Sequence, residues 1–148
     1  NKLDPSVFGH GQRWIEAGWC QSWAVIDELC GDILGPILQR VPSYFGLVKS
    51  WHKSADMWLR RAAMVVLVKP ARRGLLLDEA YRTAGKLLNE PEDLVQKAVG
   101  WLLKEAGKTD MDRLESFLFA NSSQCARTTF RYAIERFPEA TRKRLLKA

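Results

Sequence analysis

The chain has 148 residues, 47% of them hydrophobic and 27% charged, and a net charge of +6. That length and apolar content suffice to bury one core in a single domain without covalent staples. Three cysteines with no CxxC pair and only two histidines speak against a disulfide framework or a structural metal, and no apolar run approaches the ~18 residues of a membrane span.

Residues 1–12, with Pro5, Gly9 and Gly11, read as an extended lead-in, and one domain is expected over residues 13–148. No charged-then-apolar leader opens the chain, so the expectation is an intracellular, cytoplasmic protein without a membrane anchor. From Cys20 onward the apolar residues recur with helical period, and no alternating run is long enough for a strand. The expected class is therefore all-α. Helices are predicted over residues 21–29, 33–39, 43–53, 55–69, 78–88, 91–106, 111–120, 123–136 and 138–146. Pro42, Gly74, Gly107 and Pro138 stand at the breaks, where their backbone preferences start or stop helices.

Three of these segments can be laid over one another. Residues 60–69 match residues 96–105 and again residues 127–136, at periods of 36 and 31 residues. A weak repeat of this length, each copy preceded by a shorter helix, points to helix pairs stacked as a solenoid, because one pair cannot bury its apolar face alone. The second helices of the pairs then line one face.

Charge is unevenly spread along this array. Residues 1–38 hold two basic and five acidic residues, residues 39–73 hold eight basic residues against Asp56 alone, and the remainder holds thirteen against eleven. A clustered positive field favours an anionic polymer as partner.

Three groups of residues are chemically suggestive. One helical turn places Trp23 and Asp27 on the same side, with the carboxylate among Trp23, Ile26 and Cys30, where its charge needs a partner. Arg60 and Arg61 open an almost wholly apolar helix and point about 100° apart, so one of them can turn to solvent while the other faces inward, toward Asp27 or a phosphate. On the helix predicted over 91–106, Val95, Ala98, Val99, Leu102 and Ala106 form the apolar stripe, while Lys97, Trp101, Lys104 and Lys108 share another face. An indole plane among ammonium groups suits stacking beside phosphate contacts, although a tryptophan at such spacing also serves as a bridge between helices.

Taken in order, Trp23-x3-Asp27, Trp58-Leu59-Arg60-Arg61-Ala62-Ala63 and Val95-Gln96-Lys97-Ala98-Val99-Gly100-Trp101 resemble the AlkD-type DNA alkylation repair family, and the last string is the most specific. The stretch 127–137 also resembles the family's terminal repeat, so the likeness runs from about residue 14 to the end. The resemblance implies a HEAT-like (armadillo-type) right-handed solenoid whose concave basic face grips duplex DNA. About twenty residues precede Trp23, so the family's N-terminal helix pairs are expected to be lacking. It further implies a DNA glycosylase of base excision repair, nucleoid-associated, acting on N3- and N7-alkylated purines with no metal or cofactor. By motif, Asp27 is the implied catalytic carboxylate, Trp23 and Trp101 the aromatic walls around the lesion, and Arg61 a backbone contact beside it. Arg60, Lys97, Lys104, Lys108, Arg127 and Arg131 are the further DNA-backbone candidates. The rival reading is a non-catalytic HEAT-like scaffold that binds DNA or an acidic protein surface.

Overall fold

The computed structural model describes residues 4–148, and every regular element among them is helical. None of these helices is long and apolar enough to cross a membrane.

The first helix is a departure from the sequence reading. Helix α1, Ser6–Glu16, occupies most of the segment expected to be extended, while residues 1–3 of that segment lie outside the described residues. Its buried residues Phe8, Gly11 and Ile15 are spaced three and four apart, and the Asp4 carboxylate accepts from the Ser6 amide at 2.9 Å at its start. Gly11 is a packing residue here, since a Cβ would lie 3.3 Å from Leu34 Cδ1.

The predicted break between residues 29 and 33 is also absent. Helix α2, Trp23–Ile26, runs straight into a π-helical stretch, Asp27–Leu34, and then into α3, Gly35–Arg40. At the far end of the stretch the Gly35 amide bonds to Cys30 O, five residues back. Pro36 has no amide hydrogen to offer, so a widened turn ahead of it lets the helix continue without a lost bond. Only glycine fits at the closure, because a Cβ on Gly35 would sit 2.8 Å from Cys30 O.

Residues 43–53, predicted as one α-helix, instead form two 3-10 turns, Pro42–Leu47 and Trp51–Lys53. Trp51 is 1% exposed, and its indole N–H donates to Gln12 Oε1 at 3.0 Å. Seating that ring beside α1 outweighs the local helix preference.

Helix α4, Met57–Arg72, is buried almost all round, as its composition predicts. It packs on α3 and the π-helical stretch to one side and on α6, Asp93–Ala106, to the other. Helix α6 in turn packs on α8, Arg127–Ala133, so the three superposable segments lie side by side in chain order. The alternate helices α5, Leu77–Lys86, α7, Met111–Asn121, and α9, Glu139–Leu146, complete the pairs of an α-helical repeat. Helix α8 is shorter than predicted because the Ala126 amide is drawn to Leu88 O at 2.7 Å, which fixes the chain just before it.

Between neighbouring pairs, buried carboxylates act as ionic rungs. Glu105, only 3% exposed, accepts from Arg72 Nε at 2.7 Å and from Arg136 Nη2 at 3.0 Å. Burial pushes its carboxyl up, but the hydrogen bonds and charges of Arg72 and Arg136 outweigh that, and the net shift is downward from 4.5. A depressed folded pKa contributes stability that is present above 4.5 and lost as pH falls through the folded value. Glu105→Gln is expected to cost about 1.5–3 kcal/mol at neutral pH and to flatten the decline below pH 4.5, as read by urea melts across pH. An unchanged acid limb would show that this rung does not set it.

Candidate active site

The site is assembled from four helix layers, each positioned by a local device. Ser22 sits extended at the N-cap of α2 and its hydroxyl accepts from the Ala24 amide at 3.2 Å. That places Trp23 at the first helical position, 58% exposed, with Asp27 one turn on at the start of the π-helical stretch. Asp56 caps α4 in the same way, accepting from the Trp58 amide at 2.8 Å, which sets Arg60 and Arg61 on the first full turn.

The two arginines then part company. Arg61 is turned inward with its side chain 7% exposed, and its Nη2 donates to both Asp27 oxygens, at 3.0 and 3.2 Å. Its Nη1 donates to Leu94 O at 2.5 Å, so one guanidinium ties the α2 segment, α4 and the first turn of α6 together. Arg60 forms a two-point pair with Glu90, at 2.8 and 3.0 Å, and also donates to Ser54 O and Ala55 O. Arg60, one of the DNA-backbone candidates, thus has its guanidinium engaged within the fold. Arg61, expected to contact the DNA backbone, has Asp27 and a backbone carbonyl as its partners in the fold.

Trp23, Asp27, Arg61, Leu94, Lys97, Trp101, Lys104 and Tyr132 line one cavity of about 310 Å³. Six of the residues singled out in the sequence thus come together from α2, the π-helical stretch, α4 and α6. Around Trp101, Lys97 pairs with Asp93 at 2.9 Å, and Lys104 pairs with Glu135 at 2.9 Å. Lys108 is exposed beyond the end of α6 and does not line the cavity, whereas Arg127 and Arg131 line a separate recess with Arg142 on α9.

Tyr132 and Leu94 were not expected. Tyr132 had a signal, because the repeat alignment sets it opposite Trp101. Leu94 had none, since its contribution is a backbone oxygen. Tyr132 reaches the cavity because Gly100 lets α8 close on α6: a Cβ there would lie 2.5 Å from Tyr132 Cβ and 2.7 Å from Thr129 O.

Asp27 is the electrostatic focus. Burial raises its carboxyl above 3.8, and the charge and hydrogen bonds of Arg61 pull it down by less, so the net shift is upward. A partly buried carboxylate that shares a cavity with two tryptophans and two lysines has the chemistry to stabilise a cation or to accept a proton from water. Among the described residues no three His, Cys, Asp or Glu side chains gather as a metal site.

A family model described as a DNA alkylation repair enzyme matches residues 1–137. No curated protein matches the chain.

Proposed function

The chain belongs to the DNA alkylation repair enzyme family, and from that premise we propose that it is an AlkD-type glycosylase hydrolysing the N-glycosidic bond of cationic N3- and N7-alkylated purines in duplex DNA. The observation that supports this most directly is Asp27 with Arg61 at 3.0 Å in a cavity shared with Trp23 and Trp101.

An alkylated purine already bears a positive charge, so its departure needs no general acid. As the C1′–N bond breaks, its electron pair neutralises the base, and positive charge develops on the deoxyribose as in sugar hydrolysis. The Asp27 carboxylate faces that charge, and the two indole faces add cation–π stabilisation while shedding bulk water. Water then attacks C1′ and gives up a proton, for which Asp27, made more basic by burial, is the acceptor. Arg61 holds the carboxylate ionised and aimed, and Leu94 O fixes Arg61. Lys97 and Lys104 line the same cavity and exchange their acidic partners for phosphates when DNA docks.

The deciding experiment is release of abasic sites from duplex carrying N7-methylguanine, with undamaged duplex beside it. Binding without any abasic product would assign the chain to the scaffold class. The binding mode has its own signature: Lys97→Ala and Lys104→Ala should each lower the log K against log salt slope by roughly 0.9. Arg61→Ala should leave that slope as it is, and a drop there would mean the guanidinium reaches a phosphate after all.

A further inference from the structure

Of the eight cations of residues 39–73, four are ion-paired and four, Arg40 and Arg73 among them, have no ion pair among the described residues. Arg60, Arg61, Lys69 and Arg72 are bound to Glu90, Asp27, Asp32 and Glu105. Lys49 and Lys53 have no ion pair among the described residues, nor do Arg82 and Lys86 on α5. All four are exposed and line one cavity of about 330 Å³, whose wall includes Phe45 and His52 and no carboxylate.

The site is separate from the trough. None of its residues lines the cavity around Asp27. Helix α5 buries Ala80, Tyr81, Thr83 and Ala84 in its packing with α4 and α6, so Arg82 and Lys86, on its exposed side, turn away from the layer that holds the trough. Burial first, and then the charges of Lys53 and Lys86, hold the His52 imidazole below its usual range, against the bond its Nδ1 makes with Lys49 O at 2.9 Å. The basic side chains that line this cavity are thus Lys49, Lys53, Arg82 and Lys86, with His52 among them.

We propose that this basic cradle is a second contact for a nucleic-acid phosphodiester backbone, so that one molecule can hold two duplex segments at once. Four like charges around one opening repel one another, and no ion pair among the described residues relieves that repulsion. A polyanion relieves it with counterion release. The cations stand as two pairs four residues apart, Lys49 with Lys53 and Arg82 with Lys86. On α5 that step advances about 6 Å, which suits a row of phosphates better than one compact anion. Long exposed side chains over an open cavity also fit backbone contacts, which need charge and reach without base readout.

The test is a two-duplex capture with the full chain. Undamaged duplex is fixed to beads and loaded with protein, and a labelled duplex of unrelated sequence is added. The parent should retain the labelled duplex, and Lys49→Gln/Lys53→Gln/Arg82→Gln/Lys86→Gln should lose about tenfold or more of that capture. The salt slope of binding to long duplex should fall by roughly 3–4, at about 0.9 per phosphate contact. A variant that keeps the helical CD of the parent and also keeps capture and slope overturns the proposal. Loss of binding to anionic lipid vesicles with duplex capture intact overturns it too, by assigning the cradle to a membrane surface. Because the DNA is undamaged, the result is independent of whether the trough excises bases.

Discussion

Asp27→Asn is expected to lower single-turnover excision of N7-methylguanine by about two to three orders of magnitude, the scale of removing one preorganised electrostatic group. The substitution keeps the shape of the side chain and an oxygen to accept from Arg61, so what is lost is charge. Stability should change far less than activity. Because the folded carboxyl is raised above 3.8, its favourable contribution is present below that value and lost as pH rises through the folded one. At neutral pH the ionised group is thus a liability in itself, but a neutral isostere also strips the buried Arg61 of its counter-charge, so the two effects oppose and the net change in melting should be small. Activity lost with stability retained or gained is the signature of a charge kept for chemistry.

The same carboxylate sets the acid limb of excision. Activity needs the ionised form, so the rate should decline as pH falls through a value above 3.8, and Asp27→Asn should show no such limb. Excision by the variant at the parent's rate would remove Asp27 from the chemistry. A limb that survives in the variant would move the titrating group elsewhere.

Gly100→Ala is the second large effect, and its direction runs against local propensity. In a helix interior this change ordinarily stabilises by about 1 kcal/mol. Here the new methyl would meet Tyr132 Cβ at 2.5 Å and Thr129 O at 2.7 Å, and neither the backbone oxygen nor a Cβ is a flexible end that swings aside. Helices α6 and α8 must separate, and overpacking of this kind costs about 1–3 kcal/mol or more. A fall in melting temperature of roughly 2–12 °C follows for a domain of this size. Tyr132 would be carried out of the trough with α8, so excision should drop together with stability, whereas in Asp27→Asn the two part. A variant melting at or above the parent would show that the interface between α6 and α8 relaxes freely.

Much of the architecture was legible along the chain. The nearly all-apolar run from Ala62 to Val68 announced a central helix, and the repeat at residues 60, 96 and 127 announced which helices are neighbours, because identical packing duties leave the same pattern. The errors lie where a distant contact overrules a local preference. Gly9 and Gly11 suggested an extended start, yet Gly11 is small so that α1 can lie on Leu34. Residues 43–53 have a helical period, yet burying Trp51 wound them into 3-10 turns.

The candidate site divides along the same line. Trp23 and Asp27, or Lys97, Trp101 and Lys104, belong to one helix each, so their common side followed from 3.6 residues per turn. Spacing along the chain thus determined the helical class, the order of the repeats and these two half-sites. Which arginine turns inward, that Leu94 O holds it, that Tyr132 joins the wall, and that four of the cations in residues 39–73 are ion-paired while Lys49 and Lys53 have no ion pair among the described residues were decided only by tertiary structure. Those outcomes depend on groups about thirty residues apart or more, such as Asp27 with Arg61 and Arg60 with Glu90, and the competition among such partners for each guanidinium has no periodicity for a sequence to display.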